Sequence, residues 1–143
     1  MNNLHLKIIT PKRVVLEKDI ISITVPSSEG DVTILPHHTH LFSLLKEGVV
    51  SYKTEKEEEL LAIGGGYLET DGKLVQLLVS RAYGQDEIDH KATLKAIEDA
   101  KADMKQVKDK KQLQDISTLL RRSLVDLKLL KRKAPKTYVT NHS

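Results

Sequence analysis

The sequence predicts an α+β chain in two parts, an antiparallel β-sandwich or flattened barrel followed by an antiparallel α-helical hairpin. Three observations carry this. All seven glycines and three of the four prolines precede Ile88, so turns crowd the first part and are rare in the second. Apolar residues alternate with polar ones early in the chain and recur at helical spacing later. Charge divides at the same place: residues 1–87 carry 9 Lys+Arg against 13 Asp+Glu, whereas residues 88–134 carry 13 against 7. The expected organisation is a sandwich over 1–85, a helical hairpin over 86–134 and a flexible tail over 135–143.

The strands are read in order. Leu4, Leu6 and Ile8 alternate with His5 and Lys7, and Ile21, Ile23 and Val25 alternate with Ser22 and Thr24. Further β-rich runs cover Val32 to Leu35, Gly48 to Lys53, Glu59 to Ile63 and Leu74 to Ser80. Turn signals separate them at Thr10-Pro11, at Pro26 to Gly30 and at Asp71-Gly72. Asp-Gly between two such runs predicts a tight hairpin with positive φ at both central residues. Many short strands without an intervening helix fit a sandwich or a barrel, and periodicity does not choose between them.

Two helices follow. Asp86 or Asp89 is the expected cap of the first, with Leu94, Ile97, Met104 and Val107 as its apolar stripe beside Ala92, Ala96 and Ala100. The second is expected to be capped by Asp115 or Ser117 and to present Leu113, Ile116, Leu120, Leu124, Leu127 and Leu130. The reversal between them is expected within Lys108 to Lys111. Such a hairpin is apolar on one face and charged on the other, which suits a mobile appendage.

Composition excludes several functions. One Phe, no Trp and 3% aromatic residues argue against a platform that stacks sugars or single-stranded bases. Without Cys there is no disulfide framework, thiolate zinc site or cysteine nucleophile, and a reducing compartment fits. No apolar run approaches the roughly 18 residues of a membrane span, and Asn2, Asn3 and His5 do not open a secretory signal. Gly64-Gly65-Gly66 lacks the following helix that a phosphate cradle needs, so a structural bend is expected. His37, His38 and His40 have no nearby carboxylate to complete a metal set and read as a polar loop. No catalytic centre, cofactor or metal is expected. The basic residues Arg121, Arg122, Lys128, Lys131, Arg132 and Lys133 read either as a solvated face or as a surface for an acidic partner.

Five segments, in order, resemble the ε subunit of F-type ATP synthase. Ser28 to His38 resembles that family's G-E-L-G-I-L-P-G-H region, and Ile9-Thr10-Pro11 running into Val14-Val15 resembles its first hairpin. Ala62 to Glu69 resembles its S-G-G-F-L-E strand. Asp86 to Asp89 resembles the acidic start of its helical part, and Asp115-Ile116-Ser117 with Arg121-Arg122 the start of its second helix.

The resemblance implies a non-catalytic central-stalk subunit of a proton-translocating complex. It would bind the γ subunit and the c-ring through the sandwich, and reach the β subunit through hairpin helices that restrain ATP hydrolysis. By position, Glu29, Gly30 and Asp31 fall in the loop facing the c-ring, and His38, Leu41 and Phe42 face γ. Arg121, Arg122, Lys128, Lys131 and Arg132 make up the inhibitory basic helix. The implied location is peripheral, on the cytoplasmic face of a bacterial inner membrane or, alternatively, on a plastid thylakoid. Two other readings are a stand-alone ATP sensor and a basic-helix nucleic-acid module.

Two departures from the family pattern matter. His37 stands where the family has Gly, so left-handed backbone angles are not expected there. Some relatives bind ATP through I/L-D-x-x-R-A, of which Ile88 and Asp89 remain here as a vestige while Ala92 takes the arginine position. Tyr83 and Leu129 likewise replace a glutamate and an arginine common in ATP-binding relatives. Weak or absent ATP binding is therefore expected.

Overall fold

The computed structural model describes residues 3–38 and 40–132 of the 143-residue chain. The strands come first: β1 (Leu4–Ile9), β2 (Val14–Ile20), β3 (Ser22–Ser27), β4 (Gly30–Ile34), β5 (Leu41–Leu45), β6 (Gly48–Lys53), β7 (Glu58–Ile63), β8 (Gly66–Thr70), β9 (Leu74–Val79) and β10 (Ala82–Tyr83). A 3-10 turn at Gln85–Glu87 leads into α1 (His90–Met104) and α2 (Lys110–Lys131). The tail expected over 135–143 lies outside the described residues, as does Lys133.

The strands run in one hydrogen-bonded path, β10-β7-β6-β3-β5-β8-β9-β1-β2, with β4 paired to β3. The path folds over at β3, which meets β5 only through Ser27 and Leu45. Strands β2, β1, β9, β8 and β5 thus make one layer, and β10, β7, β6, β3 and β4 the other. Pairing is antiparallel except between β1 and β9, which are parallel. Inward alternation supplies the core: Leu4, Leu6 and Ile8 of β1 face Ile23, Val25, Val50 and Ile63, and all are essentially inaccessible to solvent. A side-chain bridge joins the layers: Glu59 of β7 accepts from the Tyr52 hydroxyl at 2.6 Å and from Lys18 of β2 at 3.3 Å. Burial and the Glu59 carboxylate push the Tyr52 hydroxyl well above the usual tyrosine range.

Several turns differ from expectation. His37 has φ +68°, although avoidance of left-handed angles was expected there. Pro36 and His37 occupy the centre of a turn in which the His38 amide donates to the Leu35 carbonyl at 3.2 Å, and negative φ fixed by the Pro36 ring followed by positive φ at His37 is the type II form of that turn. At the Asp71-Gly72 hairpin only Gly72 has positive φ, +91°. Asp71 instead uses its carboxylate to accept from the amides of Lys73 and Leu74, at 2.9 and 2.8 Å. Gly72 is required by close approach, since a Cβ there would lie 2.4 Å from the His38 carbonyl. The Gly64 to Gly66 run is structural, as expected: a Cβ on Gly66 would lie 2.0 Å from the Leu78 carbonyl oxygen.

The hairpin also departs in detail. Asp89 caps α1, accepting from the Ala92 amide at 3.0 Å. The cap of α2 is Asp109, not Asp115 or Ser117, which both lie inside the helix. Good helix formers follow Asp109 directly, so nothing delays nucleation until Asp115. The reversal occupies 105–109, and Lys110 and Lys111 are already helical. Helix α1 buries Thr93, Ile97 and Ala100, leaving Leu94 exposed. Helix α2 buries Ser123 and Leu129, whereas Leu113 and Leu124 of the expected stripe are 38% and 42% exposed. The reason is that α2 packs on α1 and also on β6, β7 and the 3-10 turn. Its buried arc is set by two neighbours, not by one.

Candidate functional site

Two surfaces carry unusual chemistry. The first lies along β5. Inner positions of this strand support the core: Leu45 is buried, and Leu41 packs half-buried against the cluster. Outer positions are Phe42 and Leu44, 60% and 59% exposed. Register places Phe42 opposite Glu69 and Leu44 opposite Tyr67 of β8. The Phe42 and Tyr67 rings stack at a tilt with centroids 5.1 Å apart, and Leu78 of β9 pairs with Tyr67. The strand is therefore apolar on both faces, which hid it from a period-two reading. The same feature makes an exposed patch that a solvated sheet face does not need.

The residues singled out from the sequence lie at opposite ends of this strand. At one end, the β3–β4 turn carries Glu29, Gly30 and Asp31, all exposed. Its geometry is fixed by Ser27, whose hydroxyl donates to the Gly30 carbonyl at 2.5 Å and accepts from the Glu29 amide at 3.1 Å. The Ser28 amide donates to the Leu44 carbonyl at 3.1 Å, which seats this turn beside the outer patch. At the other end His38 follows the Pro36-His37 turn, which the Gly72 carbonyl anchors by accepting from the His37 amide at 2.9 Å. Leu41 and Phe42 border a shallow cleft with His40, Glu69 and Asp71. Leu44 and Tyr67 join this surface without a sequence signal, because the run Leu41 to Leu45 does not alternate between apolar and polar residues.

The second surface is a cleft of about 480 Å³ between the end of the sandwich and the hairpin. Tyr83, Ile88, Asp89, Ala92, Arg122 and Asp126 line it, with Glu87 at the rim. Three carboxylates thus face one arginine, a poor setting for a polyphosphate anion. The Asp89 carboxylate is already engaged as the α1 cap. The Tyr83 hydroxyl donates to Asp126, and burial with that partner holds it above the usual tyrosine value. Arg121, Arg122, Lys128, Lys131 and Arg132 are all exposed, and Arg122 alone of them borders the cleft. Among the described residues no three His, Asp or Glu side chains are disposed to hold a metal ion.

Residues 3–85 match the family described as ATP synthase, Delta/Epsilon chain, beta-sandwich domain. The ATP synthase epsilon chain of Sulfurimonas denitrificans is 36% identical over 110 residues, covering 76% of this chain and 85% of that one. The epsilon chain of Carboxydothermus hydrogenoformans is 34% identical over 100 residues, covering 70% and 75%. Among solved structures, a chain of the Euglena gracilis mitochondrial ATP synthase (OSCP/F1/c-ring in rotational state 1) has the same fold, with a TM-score of 0.70 at 20% identity, covering 99% of this chain and 83% of that one.

Proposed function

The chain belongs to the ATP synthase delta/epsilon family as an ε chain of the F-type central stalk, and on that premise we propose that it is a non-catalytic coupling and regulatory subunit. The sandwich docks its outer β5–β8 face on the γ subunit and turns Glu29, Gly30 and Asp31 toward the c-ring. The hairpin restrains ATP hydrolysis by offering Arg121, Lys128 and their neighbours to an acidic surface of the β subunit. The chain sits peripherally on the cytoplasmic face of a bacterial inner membrane, with a thylakoid as the alternative. Among the described residues no helix is long and apolar enough to cross a membrane.

The observation that carries this reading is the apolar patch beside the Glu29 turn, in which Phe42 and Leu44 are exposed and Tyr67 is half-buried. Burying one such side chain in an interface contributes about 1.5–3 kcal/mol, so charging two of them should abolish docking. Co-expression with γ tests it. The parental chain should co-purify with γ at one to one, and the Phe42→Glu, Leu44→Glu double variant should lose γ while unfolding at an unchanged temperature. Full retention of γ by a folded double variant would refute docking through this face.

A stand-alone ATP sensor is disfavoured by Glu87, Asp89 and Asp126 around Arg122 in the cleft. A nucleic-acid module is disfavoured by scarce aromatics and by an acidic sandwich.

A further inference from the structure

The hairpin is fastened to the sandwich by side chains that stand before α1 in the chain. Tyr83 of β10 donates its hydroxyl to Asp126 of α2. Gln85 of the 3-10 turn donates through Nε2 to the Leu129 carbonyl at 2.6 Å and to the Arg132 carbonyl. The Leu129 carbonyl is one of the last four of α2 and has no partner within the helix, so Gln85 satisfies an acceptor the helix cannot. The Leu129 side chain between these contacts is fully buried. Arg81 and Arg122 both interact with Tyr83 as well, so the hydroxyl that holds Asp126 is itself held in place. All of these groups belong to the chain itself, and the neighbouring cleft is acidic.

We propose that Tyr83, Gln85, Asp126 and Leu129 form a built-in latch that holds the hairpin on the sandwich with no nucleotide bound. Its consequence in the assembled enzyme rests on the regulatory reading of the hairpin, because opening of the hairpin then requires breaking these contacts. A hydrogen bond to a charged acceptor is among the stronger ones, and removing either partner leaves the other half-buried and unsatisfied. The two polar contacts lie within two helical turns of each other on α2, so they should open together.

Hydrogen exchange of the full chain in nucleotide-free buffer tests this. Peptides from α1 and α2 should be protected in the parental chain. Tyr83→Phe and Asp126→Ala should each speed exchange of the hairpin by roughly tenfold to hundredfold, while peptides from β1 and β9 stay unchanged. Asp126→Asn keeps a neutral acceptor for the Tyr83 hydroxyl and should exchange at a rate between those of the parental chain and Asp126→Ala. The Tyr83→Phe, Asp126→Ala double variant should be no faster than the faster single one. Hairpin exchange unmoved by either single variant would overturn the latch, as would a parental hairpin that lacks protection without nucleotide. Should Tyr83→Phe loosen the sandwich, Asp126→Ala decides, because that side chain lies on α2 outside the sandwich core. A γ pull-down reads the other question separately: failure of the parental chain to bind γ would strike the subunit reading and leave the exchange result standing.

Discussion

His37 holds φ +68° because its turn is closed from both sides. The Leu35 carbonyl accepts from His38, and the Gly72 carbonyl, 35 residues later, accepts from His37 itself. A left-handed angle costs a non-glycine residue about 1–2 kcal/mol, partly offset because glycine loses more freedom on folding. His37→Gly should therefore raise stability by about 0.5–1 kcal/mol, read as a higher denaturation midpoint at unchanged slope. A lower midpoint would mean that contacts of the His37 ring outweigh the strain. A second residue-scale expectation concerns His5 on the outer face of β1. Its ring nitrogens lie 2.8 Å from Asp19 and 2.7 Å from Glu17 of the edge strand β2. The bonds to Asp19 and then Glu17 raise its pKa above the ordinary 6.5. A raised folded-state pKa gives stabilisation that is complete below about pH 6.5 and lost as pH rises through the folded value. The contribution is small and screened by salt, since the groups are exposed. An NMR titration should place His5 above 6.5, and Asp19→Asn should bring it down. An unmoved His5 titration in that variant would contradict the clamp.

At the scale of elements, strands and hairpin have separate cores. Every member of the main cluster lies between Leu4 and Ala82. The hairpin adds Ile97, Ala100 and Leu129, buried against each other's helices and the sandwich end. Truncation after Glu87 should thus leave a folded sandwich, with strand-type circular dichroism and cooperative unfolding. It should still bind γ, and an assembled enzyme carrying it should hydrolyse ATP faster than the parental assembly. Loss of γ binding on truncation would mean that the hairpin shares in docking.

For the whole molecule the dominant feature is the opposition of a net acidic sandwich to a net basic hairpin. Arg121, Arg122 and Lys128 are all exposed on α2, but only Arg122 borders the cleft, so the three are not equivalent. Reversing Arg121 and Lys128 to Glu should weaken inhibition of ATP hydrolysis in the assembled enzyme while sparing assembly. Each exposed pair contributes only about 0–1 kcal/mol, so the effect depends on their sum and should shrink as salt rises. Inhibition unchanged at low salt would remove electrostatics from the hairpin's action.

Local patterning along the chain sets the two-part architecture, because period two and period 3.6 are local properties and glycine marks turns wherever they fall. It also determined Asp89 as a cap candidate and Glu29-Gly30 as a turn, since each depends on a few adjacent residues. Packing against distant elements selects which face of α2 is buried. Leu113 and Leu124 carry the same periodic signal as Ile116 and Leu120, and the choice between them comes from α1 and the β6–β7 surface acting together. It decided likewise that Leu41 faces inward and Phe42 outward, because pairing with β8 fixes the register. The left-handed His37 follows from Gly72 by the same logic. Contacts between residues distant in sequence set these outcomes, and no local pattern encodes such a contact.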